Sequence, residues 1–135
     1  MRADEDPNSP EAGERFLAEN GKRPDVVTRS SGLQYRIITR GDGLVRPGLD
    51  TKCSCHYVGT LLDGTQFDSS YDRGEPATFP LGRLVKAWQL AIPQMGVGDT
   101  IELYTPADLA YGPVGKGPIP GNATLVFKVE LLGIE

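Results

Sequence analysis

TKCSCHYVGTLLDGTQFDSSYDRGEPATFPLGRLVKAWQLAI, residues 51–92, contains the change of period that decides the fold. Over 51–59, Cys53, Cys55 and Tyr57 recur at every second position, the period of a strand with one buried face. Asp63-Gly64, between Leu61-Leu62 and Gln66-Phe67, is the strongest short hairpin signal in the chain. A further short strand is expected around Thr78–Leu81. From residue 84 the period lengthens to four. Leu84, Trp88 and Ile92 share a helical face that Leu90 and Ala91 widen, and Pro93 and Gly96 end it.

The flanking sequence extends this pattern. Upstream, Leu33, Tyr35 and Ile37 alternate with polar neighbours until Gly41-Asp42-Gly43. Downstream, Ile101 and Leu103 face inward within 100–105, and Leu125, Phe127, Val129 and Leu131 lie on one face of a last strand. Between these two strands, Pro106–Asn122 is a long loop rich in Gly and Pro. The expected fold is α+β: five or six antiparallel strands, each apolar on one face, wrapped around one short amphipathic helix that carries Trp88. Ser9-Pro10 supplies an N-cap and a first-turn proline, and Asn20-Gly21 a stop, so a second helix is expected over about 10–20. A helix this short is marginal alone and must dock or fray. Residues 1–8 read as disordered. The chain then divides into an acidic, partly disordered extension, 1–31, and a domain, 32–135.

The bulk numbers bound the function. One domain of 135 residues can bury a real core. No run reaches the roughly 18 apolar residues of a membrane span. Met1-Arg2-Ala3-Asp4-Glu5-Asp6 puts acids where a signal peptide is apolar. A cytoplasmic protein is therefore expected, or a secreted or organellar one if a targeting segment has been removed. The net charge of −4, of which −3 falls in residues 1–25, leaves no basic stripe for a nucleic acid. Gly and Pro make 28 of 135 residues, spread between the alternating segments as turns. Cys53 and Cys55 sit on one strand face with α-carbons about 6.5–7 Å apart, awkward for a disulfide. They read as small buried hydrophobes, which fits a reducing compartment.

Catalytic groups are scarce. His56, the sole histidine, lies on the strand face opposite Tyr57, where a surface or hydrogen-bonded structural role is expected. The sequence has no nucleophile elbow, phosphate-binding glycine loop or metal-ligand cluster, so neither cofactor nor metal is expected. The unusual feature is aromatic placement. Tyr57, Phe67, Trp88, Tyr111 and Phe127 come from different elements. With Asp68, Arg73 and the loop around Ile119 they suggest an apolar pocket with a few polar groups at its mouth.

The segment His56-Tyr57, followed by GTLLDGTQFDSSYDR (59–73), then QMGVG (94–98), AYG (110–112), Ile119-Pro120 and ATLVFKVEL (123–131), resembles the FKBP-type peptidyl-prolyl isomerases. The register is near-continuous from about Ser31 to Glu135. FLAEN (16–20) and SGLQY (31–35) resemble the macrophage-infectivity-potentiator branch, in which a longer helical region precedes the domain. The resemblance implies an enzyme that speeds X–Pro rotation. Its pocket walls would be Tyr57, Phe67, Tyr111 and Phe127, with Trp88 as floor. Leu84 and Val85 match the apolar pair whose backbone N–H meets the ligand. Asp68 and Arg73 match the polar groups at the mouth, Tyr111 offers a hydroxyl to a ligand carbonyl, and Ile119 lies on the flap loop. Within that set Tyr57, Asp68 and Tyr111 carry the catalytic expectation.

Ala77, Ala87 and shorter loops after Gly82 and Gly112 depart from the best-known human relatives. Expected partners are proline-containing peptides, unfolded proteins and the macrolide immunosuppressants tacrolimus and rapamycin, with the chain itself a monomer. Two other readings use the same residues: a binding module without turnover, and a chaperone whose upstream helix dimerises it.

Overall fold

The computed structural model describes residues 6–41, 47–48 and 51–134. The Asp42-Gly43 part of the first strand stop, and most of the 1–8 stretch read as disordered, lie outside these residues. Helix α1 spans Pro10–Asn20, and strands β1 and β2 span Val27–Thr28 and Gln34–Thr39. Strands β3 (Lys52–Leu61) and β4 (Gln66–Ser69) form the expected hairpin. Its turn closes by Gly64 N–H donating to the Leu61 carbonyl at 3.0 Å, and Gly64 takes a φ of +90° that a β-carbon would resist. A single helical turn, α2 (Ser70–Arg73), precedes β5 (Ala77–Pro80), helix α3 (Lys86–Ala91), β6 (Thr100–Thr105) and β7 (Leu125–Ile134).

The described strands form one antiparallel sheet in the order β1-β2-β6-β7-β3-β4. The far edge of β3 serves two partners: β5 pairs with Lys52–Cys55, and β4 with residues 58–60. Seven strands result, two-residue β1 being too short for any alternation to announce it. Cys53, Cys55, Leu103, Leu125, Val129 and Leu131 are buried on the face that wraps α3. Both cysteines are free thiols.

The central helix differs from its expected span. Leu84 precedes it, at the end of a 3-10 turn over Leu81–Arg83, and extended Val85 (ψ 151°) forms its N-cap. At the other end the chain tightens into a second 3-10 turn, Ile92–Gln94, because Pro93 has no N–H to continue the helix. Leu90, assigned to the inner face, is 40% exposed, and Ile37 is 36% exposed at the open end of β2.

Helix α1 docks on the outer face of the sheet. Phe16 lies 6.0 Å from the Tyr104 ring, and Asn20 Nδ2 donates to Gln34 Oε1 at 2.8 Å. Gln34 Nε2 in turn donates to the Leu17 carbonyl at 2.8 Å, satisfying one orphan acceptor of the helix end. This contact reverses the polar-outward reading of β2, because Gln34 is buried.

Candidate active site

Trp88 is brought to the middle of the inner face by α3 and is 4% exposed. Its indole is enclosed by rings from three strands. Tyr57 of β3 meets it at 5.2 Å and 85°, Phe127 of β7 at 5.4 Å and 88°, and Phe79 of β5 at 5.5 Å and 59°. Phe67 of β4 meets Phe127 at 5.7 Å and 88°. Three of these four contacts are edge-to-face, placing a positive ring edge against a negative ring face, an arrangement worth about 0.5–1.5 kcal/mol per pair beyond burial.

The polar edge of this cluster begins at the Tyr57 hydroxyl. It donates to Asp68 Oδ2 at 2.5 Å and accepts from Arg73 Nη2 at 3.1 Å. Arg73 also pairs with Asp68 Oδ1, and its guanidinium lies 5.5 Å from the Tyr57 ring centroid. Both side chains remain over a third exposed, 39% for Asp68 and 46% for Arg73. The hairpin register places Asp68 opposite Gly59, and the one-turn helix α2 returns Arg73 toward it. Burial works to raise the Asp68 carboxyl. Hydrogen bonds from Tyr57 and Arg73, and the guanidinium charge, outweigh it and hold the group below its ordinary value. Burial, then the bond to Asp68, push the Tyr57 hydroxyl up. Burial, then the Asp68 charge, do the same to Tyr111. Both phenols therefore stay protonated near neutrality and can donate.

Tyr111 lies in the loop after β6, partly buried against the same core, with Lys116 Nζ 5.8 Å from its ring centroid. The loop is held by its own backbone. Lys116 and Ile119 exchange two bonds of 2.9 Å, and Asn122 N–H donates to the Gly112 carbonyl at 2.8 Å. Ile119 is thereby buried into the core. Leu84 and Val85 pack on that core from the segment before α3. Gln89 Nε2 donates to the Leu84 carbonyl at 2.7 Å and to the Gly82 carbonyl at 3.3 Å, fixing that segment. All ten expected residues thus fall in or beside one cluster: Tyr57, Phe67, Asp68, Arg73, Leu84, Val85, Trp88, Tyr111, Ile119 and Phe127.

Three contributors escaped the sequence reading. Phe79 completes the enclosure of Trp88; its spacing of two from Ala77 was the available signal. Gly59 makes room for the rings: a β-carbon there would lie 2.4 Å from Phe67 Cζ and 3.1 Å from Phe127 Cε1. A glycine inside a strand is the usual mark of such close approach. Gln89, on the polar side of α3, gave no signal. His56 stays outside the cluster, stacked on Tyr71 at 4.4 Å, with Nδ1 2.8 Å from Ser70 Oγ. Ser70 Oγ also accepts from the Tyr57 N–H at 2.7 Å, so α2 anchors the backbone under the aromatic wall.

Among known protein families, residues 44–132 match the FKBP-type peptidyl-prolyl cis-trans isomerase, and residues 2–37 the domain amino-terminal to it. The chain belongs to the FKBP-type isomerase family. The FKBP-type peptidyl-prolyl cis-trans isomerase FkpA of Aeromonas hydrophila is 50% identical over 123 residues, which cover 91% of this chain and 46% of that protein. The outer membrane protein MIP of Legionella longbeachae is 46% identical over 125 residues, covering 91% and 53%. The crystal structure of FkpA from Escherichia coli superposes with a TM-score of 0.89 at 38% identity, covering 93% of this chain and 58% of that one. A peptidyl-prolyl cis-trans isomerase from Pseudomonas syringae gives 0.86 at 30% identity, with 99% of both chains covered. The chain spans about half the length of the curated FKBP-type relatives it matches. No helix among the described residues is long and apolar enough to cross a membrane.

Proposed function

We propose that this chain accelerates rotation about X–Pro peptide bonds by differential binding of a twisted amide. The observation that supports this most directly is the Trp88 aromatic enclosure with Tyr57, Asp68 and Arg73 bonded at its edge. Resonance across the C–N bond sets the barrier, and rotation by 90° removes it together with part of the charge on the oxygen. An apolar site penalises the polar planar amide more than the twisted one, so no proton needs to move. Three decades of rate require only about 4 kcal/mol.

In this reading the proline ring lies on Trp88 between Tyr57, Phe67 and Phe127, with Phe79 supporting the floor. Tyr111 donates to a ligand carbonyl, the Val85 N–H meets the ligand beside Leu84, and Ile119 carries the flap. Asp68, kept ionised, is fixed by Arg73 and orients the polar edge. The same surface takes tacrolimus and rapamycin, whose pipecolyl ring mimics proline. Proline-containing peptides and unfolded chains are the natural substrates, and the chain is a monomer whose extension ends near residue 31. Export from the cytoplasm fits the Legionella relative, an outer membrane protein.

A protease-coupled assay on short X–Pro peptides tests the reading. Turnover above the uncatalysed rate is expected at micromolar protein, inhibited by tacrolimus and flat from pH 6 to 8. Asp68 titrates below that window and Tyr57 and Tyr111 above it. An unchanged rate ends the enzyme reading, and a bell centred near pH 7 ends the desolvation mechanism.

A further inference from the structure

A second concavity, of about 280 Å³, lies between β2 and the C-terminal end of α3 and shares no lining residue with the aromatic cluster. Buried Leu33, Met95 and Ile101 are among its apolar lining, together with the partly exposed Ile37 and Leu90. Its charged groups are Arg29, Arg40 and Asp99. Asp99 is already committed: Oδ1 accepts from the Gly41 N–H at 2.6 Å and Oδ2 from the Gly96 N–H at 2.9 Å. Neither arginine pairs with a carboxylate among the described residues. The cleft therefore presents an apolar floor flanked by two arginines without an ion-pair partner among the described residues, with Asp99 tied up by backbone N–H groups, on a chain whose net charge is −4.

Among the described residues, the sheet edge beside it is open beyond Tyr35. Strand β1 begins at Val27, opposite Tyr35, so among the described residues no strand pairs with that side of β2 beyond Tyr35. The Arg29 N–H donates to the Leu33 carbonyl at 2.8 Å across this edge. Alternation along β2, regular as far as Ile37 before the register against β6 shifts between Ile37 and Thr39, turns Ile37 toward the same open side. Size narrows the ligand further. At about 280 Å³ the cleft falls below the roughly 300–1,000 Å³ of sites that enclose a whole small molecule. It seats one or two side chains of a ligand whose remainder lies outside, along the strand.

We propose that this cleft is a second peptide site, separate from the prolyl site, which binds an extended segment with an apolar centre and acidic flanks. The segment adds as a strand to the free edge of β2. Its apolar side chain enters between Ile37 and Leu90, and its carboxylates meet Arg29 and Arg40. Proline is not required, because recognition uses backbone pairing and charge.

The probe is a proline-free peptide, fluorescein-Glu-Glu-Leu-Val-Leu-Glu-Glu-amide, titrated by anisotropy and by amide chemical-shift mapping. Saturable binding is expected, with shifts at Ile37 and the 94–96 turn, and no displacement by tacrolimus. The Arg29→Glu/Arg40→Glu variant is expected to bind at least tenfold more weakly, as is the probe with glutamine for glutamate on the unmodified protein. Melting temperature and X–Pro turnover of that variant remain unchanged, so loss at this cleft is separable from loss at the aromatic site. Absence of binding at millimolar probe, unchanged affinity in the variant, or displacement by tacrolimus each overturns the proposal. Decanoate shifting these amides while the peptide does not would do the same, marking a site for small amphiphiles.

Discussion

At the level of single residues, substitutions at Trp88, Asp68 and Tyr111 test whether loss of fold and loss of function can be separated as the proposed site requires. Trp88 is 4% exposed and touches three aromatic rings, so Trp88→Ala leaves a large cavity. It is expected to lower stability by about 3–5 kcal/mol and activity along with it. Asp68→Val removes a partly exposed carboxylate and little packing, so kcat/KM is expected to fall while the melting temperature moves little. Tyr111→Phe deletes one hydroxyl, and its effect on kcat/KM should match one ligand hydrogen bond, about 0.5–1.5 kcal/mol. Thermal melts and peptide turnover of the three variants check the assignment. Equal destabilisation by Asp68→Val and Trp88→Ala would make Asp68 structural. Trp88 was readable because its spacing of four from Leu84 and Ile92 marks a helical segment, although Leu84 precedes α3 and Ile92 follows it. Phe79 was not, since a four-residue strand gives only two inward positions, and a single spacing of two from Ala77 is too short a run to stand out.

Among the elements, α1 shows how tertiary contact overrides local pattern. Its caps were legible: the Ser9 side chain accepts from the Ala12 N–H, and Pro10 opens the helix. Its docking site was not, because Gln34 and Tyr104 sit at positions that alternation assigns to solvent and only a covering helix buries them. Gly13 is the close-contact point. A β-carbon there would lie 2.3 Å from Oγ1 of buried Thr124. Gly13→Ala gains roughly 1 kcal/mol of helix propensity, but overpacking against a buried neighbour costs about 1–3 kcal/mol. The clash is expected to win, giving a lower melting temperature with turnover retained, since α1 lies across the sheet from Trp88. Thr124→Ala in the same chain should restore part of the loss. A rise in melting temperature for Gly13→Ala alone would show that α1 is free to move.

Across the whole molecule, the strand count and order follow from pairing over long sequence distances, as in Cys53 with Ile134, which no local pattern encodes. Period and turn chemistry define the pieces. Only the shared need to cover α3 orders them. The two cysteines illustrate the same burial chemically. Burial pushes the Cys55 thiol up from an ordinary value of 9.0 to about 12, with the neighbouring Cys53 adding to the effect. A raised folded pKa means that the full stability holds below the unfolded value and is lost as pH rises from it toward the folded one. Denaturant unfolding at pH 7, 9 and 10.5 is therefore expected to show stability falling above about pH 9, and Cys55→Ala should flatten that slope. Equal slopes for both proteins would place the alkaline loss elsewhere.

Strand β7 lies between β6 and β3, and it brings Phe127 to the Trp88 ring. Without β7, strand pairing among the described residues leaves two separate groups, β1-β2-β6 and β4-β3-β5. In a chain still being synthesised, β7 is the last described strand to emerge, and neither group can join the other, nor Phe127 reach Trp88, before it does. Strands formed before then would present two bare inner edges, and that is the interval in which shielding from neighbouring nascent chains matters most.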